Sequence, residues 1–359
     1  VKPIVSATVD TAALRHNLSV VRGRAPRSRV MAVVKANAYG HGLVAVAEAL
    51  KDADSFAVAR VDEGLVLRRA GIRQPIVLLE GVFDAEQLRA SAENDFELVV
   101  HLPEQIALLQ ACRVARPFTV WLKLDTGMHR LGLTVEQFAP ALAELRGLAS
   151  VSQPVRLMSH LARADEPDSD MTERQLARFA AATRGQPGQR SVANSAGLLG
   201  FPAAQMDWVR PGLLLYGVSP LAGSNGVDHG LIPVMTLHSQ VIAVKGVAPG
   251  EHVGYGGSWT AARPTRLAVA AIGYGDGYPR SLNSGAPVLV NGRRAALAGR
   301  VSMDMIGIDV TDLDPAPALG DPVVLWGREL PVEEVARWAG TIPYELLCGI
   351  SQRVAVELR

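Results

Sequence analysis

Lys35 follows directly on an apolar run, Val30–Val34, within the segment Val34-Lys35-Ala36-Asn37-Ala38-Tyr39-Gly40-His41-Gly42. A lysine at the end of a strand is seldom buried without a purpose, because its ammonium gives up hydration there. Its chemistry in such a place is nucleophilic, since a desolvated amine condenses with a carbonyl as a Schiff base. Taken alone, a solvated or salt-bridged lysine is the better explanation of the residue. Other polar residues close further apolar runs: Lys123 with Arg130, then His160, then Asn194 with Ser195, then Arg210. Any one of them could cap a turn, but so many at one rim describe a built site. Ser195 opens a predicted helix and Gly212-Leu213 bare their amides after Pro211, two features that suit a phosphate.

These residues need a scaffold that gathers strand ends. From about residue 10 to about 215, short aliphatic runs alternate with stretches of helical period, the pattern of βα units around a parallel sheet. The predicted strands are Val30–Val34, Phe56–Ala59, Ile76–Leu79, Phe96–Val100, Thr119–Leu124, Val155–Ser159, Ser191–Ala193 and Trp208–Arg210. That number predicts an α/β fold, a closed (β/α)8 TIM-like barrel with its site at the C-terminal strand ends. An open doubly wound sheet is the alternative, and no Gly-x-Gly-x-x-Gly turn follows the first strand to support it.

Past residue 230 the texture changes to strands separated by Gly, Pro and Asn turns: Val234–Val247, Leu267–Gly273, Pro287–Val290, Arg300–Val310 and Pro322–Trp326. A helix, Pro331–Trp338, and a closing strand, Arg353–Leu358, are expected to complete a second, mainly β-strand domain. The expected division is 10–230 for the barrel and 231–359 for the β-rich domain, with the N-terminal strand 1–9 joining the latter. Ala222–Gly230 is the candidate linker.

The 359 residues carry 36 basic and 35 acidic side chains, a formal net charge of +1, which gives no electrostatic footprint for nucleic acid or anionic lipid. A small-molecule partner is expected. Cys112 and Cys348 have no metal-ligand spacing and the histidines form no His-x-x-x-His arrangement, so no metal is expected. No run reaches the roughly 18 apolar residues of a membrane span, and the start lacks a signal-like apolar stretch. A cytoplasmic protein is expected.

The segment around Lys35 resembles the cofactor-lysine signature of the alanine racemases, fold-type III pyridoxal-phosphate enzymes. Further matches run in order through Trp121-Leu122-Lys123-Leu124-Asp125-Thr126-Gly127-Met128-His129-Arg130-Leu131-Gly132, Ser159-His160, Val209-Arg210-Pro211-Gly212, Val253-Gly254-Tyr255-Gly256, Gly273-Tyr274-Gly275-Asp276-Gly277-Tyr278, Arg300-Val301-Ser302-Met303-Asp304-Met305 and Ile342-Pro343-Tyr344-Glu345. The resemblance covers essentially the whole chain, and several long motifs in order are far harder to meet by chance than one short pattern.

The resemblance implies an amino-acid racemase of the isomerase class that interconverts L- and D-alanine. D-alanine would serve peptidoglycan in the cell wall, or alanine catabolism. Pyridoxal 5'-phosphate would be held on Lys35, with Tyr39, His160, Asn194, Ser195, Arg210, Gly212, Leu213 and Tyr344 binding it. Lys35 would be the base on one face of the substrate and Tyr255, reaching in from the partner of a homodimer, the base on the other. Arg210 is similar to the residue that faces the pyridine nitrogen, and Arg130 to the one that holds the substrate carboxylate. Met303 and Asp304 resemble partner-subunit residues lining the substrate pocket. Lys123 corresponds to a lysine carbamylated in some relatives, an unmodified lysine paired with an acid being the alternative. Asp165, Tyr274, Arg280, Arg300 and Ile342 are similar to residues of the channel by which substrate arrives. An amino-acid decarboxylase of the same architecture is the nearest rival, but it would have to expel the carboxylate that Arg130 suits holding. A non-catalytic cofactor carrier would lack residues 231–359.

Overall fold

A computed structural model describes residues 3–166 and 168–359. Its first strand, β1 (Ser6–Val9), precedes a closed parallel barrel of eight strands. These are β2 (Arg29–Val33), β3 (Ser55–Val58), β4 (Ile76–Leu78), β5 (Phe96–Val100), β6 (Val120–Lys123), β7 (Arg156–Met158), β8 (Arg190–Ser191) and β9 (Trp208–Val209). β9 returns to pair with β2 and closes the ring. Helices outside the barrel cover the outer face of these strands, which is why they read as continuous aliphatic runs with no polar alternation. β3 and β4 are buried at every position.

Aromatic rings and one ion pair fill the barrel's N-terminal end. Arg156 donates to both oxygens of Glu97 at 2.9 and 2.8 Å, the Trp121 indole donates to Glu97 Oε2 at 2.8 Å, and the guanidinium lies 5.2 Å from the Trp121 ring centroid. With that end plugged by satisfied polar groups, open chemistry is confined to the C-terminal strand ends.

The second domain is built on β10 (Met235–Val247), followed by the short ribbon β11 (His252–Val253) and β12 (Trp259–Thr260). It continues through β13 (Thr265–Ala270), β14 (Pro287–Val290), β15 (Arg293–Leu297), β16 (Ile306–Asp309) and β17 (Pro322–Trp326), and ends in β18 (Ala355–Leu358). The sheet order is β13-β16-β15-β14-β17-β10-β1-β18, and β13 pairs back to β10, so the sheet curls on itself. β1 runs antiparallel to β10 and parallel to β18. The stretch Ala222–Gly230, read as a linker, is a built turn: Glu333 accepts from the amides of Ser219 (2.9 Å) and Gly226 (2.8 Å). Among the described residues no helix is long and apolar enough to cross a membrane.

Two departures from the predicted elements have clear causes. Arg300–Val310 is not one strand, because the backbone of Ser302 and Met303 accepts from Tyr274 and Gly275 at 3.0 and 2.9 Å and is spent on a turn. The ladder holds only Ile306–Asp309 of that run. In its place β15 forms a hairpin with β14 in which Val290 faces Arg293 across Asn291-Gly292. Both turn residues have positive φ, 50° and 71°, the conformation that makes Asn-Gly a favoured two-residue hairpin loop.

Candidate active site

Lys35 stands where β2 leaves the barrel, and the chain then turns the wrong way. Ala36, Asn37, Ala38 and Tyr39 have consecutive φ values of 54°, 53°, 53° and 53°. An L-residue in this left-handed basin costs about 1–2 kcal/mol, so the turn persists only because its surroundings over-determine it. Glu63 Oε1 accepts from the Ala36 amide at 2.7 Å while its Oε2 accepts from Ala59 at 2.8 Å, tying the turn to the end of β3. Asn37 Oδ1 accepts from Leu43 at 2.9 Å.

Arg210 lies fully inside the mouth. It donates to Ser191 Oγ (2.6 Å) and to the carbonyls of Ser159 (2.7 Å) and Val192 (3.3 Å). Its Nη2 is 3.2 Å from His160 Nδ1. A guanidinium only donates, so His160 Nδ1 is an acceptor and the imidazole is neutral. Burial, then Arg210, Lys123, Arg130 and Lys35, hold His160 well below the usual histidine range. Burial alone pulls Arg210 down to about 10, which leaves it charged at neutral pH.

Lys123 ends β6 beside this group. Burial, followed by the charges of Arg210, Arg130 and Lys35, lowers its ammonium to about 7, so near neutrality much of it is free amine. Among the described residues no carboxylate ion-pairs with it, and its acidic neighbour Asp125 is engaged by Gly127 and His129 at 2.8–3.1 Å. Among the described residues the mouth is therefore a cluster of basic side chains without matching acids, an arrangement that calls for anionic guests.

Beside it lies a cradle for one such guest. Ser195 Oγ accepts from the amides of Gly212 (2.9 Å) and Leu214 (3.4 Å), leaving its own O–H to donate. A β-carbon on Gly212 would collide with the Tyr39 hydroxyl, so only glycine lets the phenol stand this close to the backbone that bonds to Ser195. The Tyr39 and Tyr344 rings lie 5.9 Å apart. Burial and then the charge of Asp165 push the Tyr344 phenol up to about 12, so it stays a neutral donor. Asn194 differs from its neighbours: its Oδ1 accepts from Gly197 at 2.9 Å and its Nδ2 donates to Leu161 O at 3.4 Å. Its side chain caps the helix Ser195–Gly200 and positions Ser195.

The remaining candidates sit on the second domain or the rim. Tyr255, 69 % exposed, rides the turn between β11 and β12. The Arg300 guanidinium lies against Gly256 beside it. Met303 and Tyr274 are exposed on the two loops that bond to each other, Arg280 lies 6.0 Å from the Tyr274 ring, and Asp304 accepts from Arg353 at 2.7 Å. Ile342 precedes the helix Pro343–Cys348, which carries Tyr344. Arg130 is exposed at the mouth. Among the described residues no hydrogen bond or ion pair joins Tyr255 to Lys35 within the chain.

Residues 9–220 match the family of the alanine racemase N-terminal domain, and residues 234–358 that of the alanine racemase C-terminal domain. The chain belongs to the alanine racemase family. It is 53 % identical over 352 residues to the alanine racemase of Yersinia pestis, covering 98 % of each chain, and 52 % identical over 355 residues to that of Shewanella putrefaciens, covering 99 % of each. Its fold superposes on the crystal structure of biosynthetic alanine racemase from Pseudomonas aeruginosa with a TM-score of 0.96 at 46 % identity, each chain covered in full. Alanine racemase from Acinetobacter baumannii gives 0.94 at 38 %, again over the whole of both chains. The protein is thus an enzyme of the isomerase class with this family's barrel and β domain.

Nothing in the sequence signals Glu63; His101 reads there as a surface, turn or packing residue and Ser191 only as the start of a strand. A polar residue opening an otherwise apolar run, as Ser191 does in Ser191–Ala193, is the available signal, since buried hydroxyls occur where something needs their bond.

Proposed function

We propose that this alanine racemase family member interconverts L- and D-alanine with pyridoxal 5'-phosphate on Lys35 and Tyr255 of a homodimer partner as the second base. The observation that carries this reading is the cation cluster of Lys35, Lys123, Arg130 and Arg210 beside the neutral donors Tyr39, Ser195 and Tyr344. A dianionic phosphate fits the donors and a substrate carboxylate fits the guanidinium of Arg130. When bound, the cofactor withdraws electrons from the substrate's α-carbon and so makes its α-proton removable.

Lys35 and Tyr255 then work from opposite sides, one taking the α-proton as the other returns one, which inverts the centre. Gly212, Leu213, Ser195, Tyr39 and Tyr344 hold the phosphate, with Asn194 holding Ser195 in place. Met303 and Asp304 from the partner limit the pocket to a side chain near methyl in size, and Asp165, Tyr274, Arg280, Arg300 and Ile342 line the approach. The exposed Tyr255, Tyr274, Met303 and Met305 form the surface that a second copy would cover. We further propose a cytoplasmic enzyme serving peptidoglycan or alanine catabolism, with the barrel at 10–230 and the β domain at 231–359 joined by the N-terminal segment 1–9, of which residues 1 and 2 lie outside the described residues.

Lys123 adds a covalent group. Its free amine attacks CO2, a nitrogen–carbon bond forms as one carbon–oxygen π bond opens, and a proton leaves to water. The resulting carbamate anion supplies the charge that the cluster lacks and orients Arg130.

Arg210 bears on reaction choice. Because its guanidinium only donates hydrogen bonds and keeps its proton, Arg210 would offer the cofactor's pyridine nitrogen no proton, which would weaken the electron sink and favour prompt return of the proton over transamination. Arg210→Glu is expected to raise pyruvate formed per racemisation by about tenfold; an unchanged ratio, measured by product analysis, would remove this role.

The test of the proposal as a whole is an absorbance spectrum of the purified protein with L-alanine incubated in deuterated water. Visible cofactor absorbance with α-deuteration and both enantiomers is the expected result. Absorbance without exchange on any small amino acid would sink it in favour of a decarboxylase or a cofactor carrier.

A further inference from the structure

His101 follows β5 and stands next to Lys123. The register of β5 on β6 pairs Leu98 with Val120, Val99 with Trp121 and Val100 with Leu122; one step further along the same register puts His101 opposite Lys123, whose charge acts on it. Side chains of paired residues in a sheet share a face, and both of these are buried.

The ring's hydrogen bonds commit its tautomer. His101 Nε2 lies 2.9 Å from the Glu80 carbonyl. Of the two atoms within reach of Nε2, the Glu80 carbonyl at 2.9 Å and the Gln105 amide nitrogen at 3.4 Å, the nearer one only accepts, so Nε2 carries the hydrogen. Gln105 fixes this arrangement, its Oε1 accepting from the His101 amide at 2.8 Å and its Nε2 donating to Glu80 O at 3.0 Å. Burial first, aided by the charge of Lys123, keeps the imidazole neutral. Nδ1 is left as a bare lone pair, buried and without a hydrogen-bond partner among the described residues. Such an atom is uncommon in a folded protein and marks strain, function or a group still to arrive.

We propose, resting on the carbamylation of Lys123 put forward above, that His101 is a positioning residue whose Nδ1 accepts the hydrogen bond of the carbamate N–H. A carbamate has one N–H and two oxygens in a plane. With the N–H committed to His101, both oxygens are left for the guanidinium side of the mouth, where Arg130 and Arg210 lie. The orphaned lone pair and the buried N–H satisfy each other. His101 thereby favours the modified lysine and fixes the plane through which it acts on Arg130.

Two substitutions separate this role from simple packing. His101→Gln keeps a donor for the Glu80 carbonyl but offers no acceptor where Nδ1 stood. His101→Asn offers an amide oxygen there and gives up the Glu80 bond. The experiment is carbon-13 NMR of the holoenzyme in labelled bicarbonate, with Lys123→Met as the assignment control and KM for alanine measured alongside. His101→Gln should lose about tenfold of the carbamate signal and raise KM, while His101→Asn should keep the signal. A full signal in His101→Gln, or its loss only in His101→Asn, would overturn the role of His101 and leave the carbamate standing. A wild-type protein with no signal that Lys123→Met removes would overturn the carbamate and His101 together.

Discussion

Lys35→Ala is expected to remove the visible colour of the purified protein and to lower alanine turnover by about 10⁴-fold, since under the proposed mechanism one substitution would delete both the cofactor's attachment and one of the two bases. The rival amine is Lys123, whose burial and cationic neighbours bring it down to about 7, making it the better nucleophile at neutral pH on that ground alone. Its surroundings argue against it. Lys123 is enclosed among Arg130, Arg210 and Lys35, whereas Lys35 opens the turn that presents Tyr39 to Gly212 and so to the phosphate cradle. Borohydride trapping followed by peptide mass spectrometry decides between them. The label should sit on the peptide containing Lys35 and vanish in Lys35→Ala. A label on Lys123 would reassign the cofactor.

Tyr255→Phe is expected to abolish racemisation while sparing colour and folding, because Tyr255 is exposed on a turn of the β domain and packs into no core. With Lys35 still acting on one face, α-proton exchange should persist for one enantiomer and stop for the other. Mixing provides the sharper test. Lys35→Ala and Tyr255→Phe chains, each inactive, reassort on denaturing and refolding together. If each site takes Lys35 from one chain and Tyr255 from the other, half the dimers are mixed and each has one intact site. About a quarter of wild-type activity should return. No recovery in a mixture shown to contain mixed dimers would put both bases in one chain.

The barrel was legible because strands buried on both faces leave unbroken aliphatic runs, and the site because Lys123, His160, Asn194 and Arg210 each interrupt the end of such a run. The rest was hidden for specific reasons. The strand Arg293–Leu297 begins with two arginines and was masked, although Asn291-Gly292 announced its hairpin. The run 300–305 looks like strand but is pinned to the turn at Tyr274–Asp276. His101 reads as a packing residue until the register sets it beside Lys123. Asn194 reads as a ligand until its oxygen is found on Gly197. Tyr255 is the extreme case: among the described residues no side-chain hydrogen bond or ion pair engages it, so only likeness to a family singles it out.

The backbone after Lys35 is a matter of handedness. Ala36 and Ala38 hold φ near +53° and ψ near +51°, the mirror image of the right-handed helical basin. For D-alanine these are relaxed angles. Ala36 is exposed, so a reversed methyl has room there. A semisynthetic chain with D-alanine at position 36 should therefore be more stable by on the order of 1 kcal/mol, read as a rise in Tm; an unchanged Tm would mean the turn stores no strain at that residue. Beside Lys35, an all-L chain holds alanine in the posture natural to the other enantiomer.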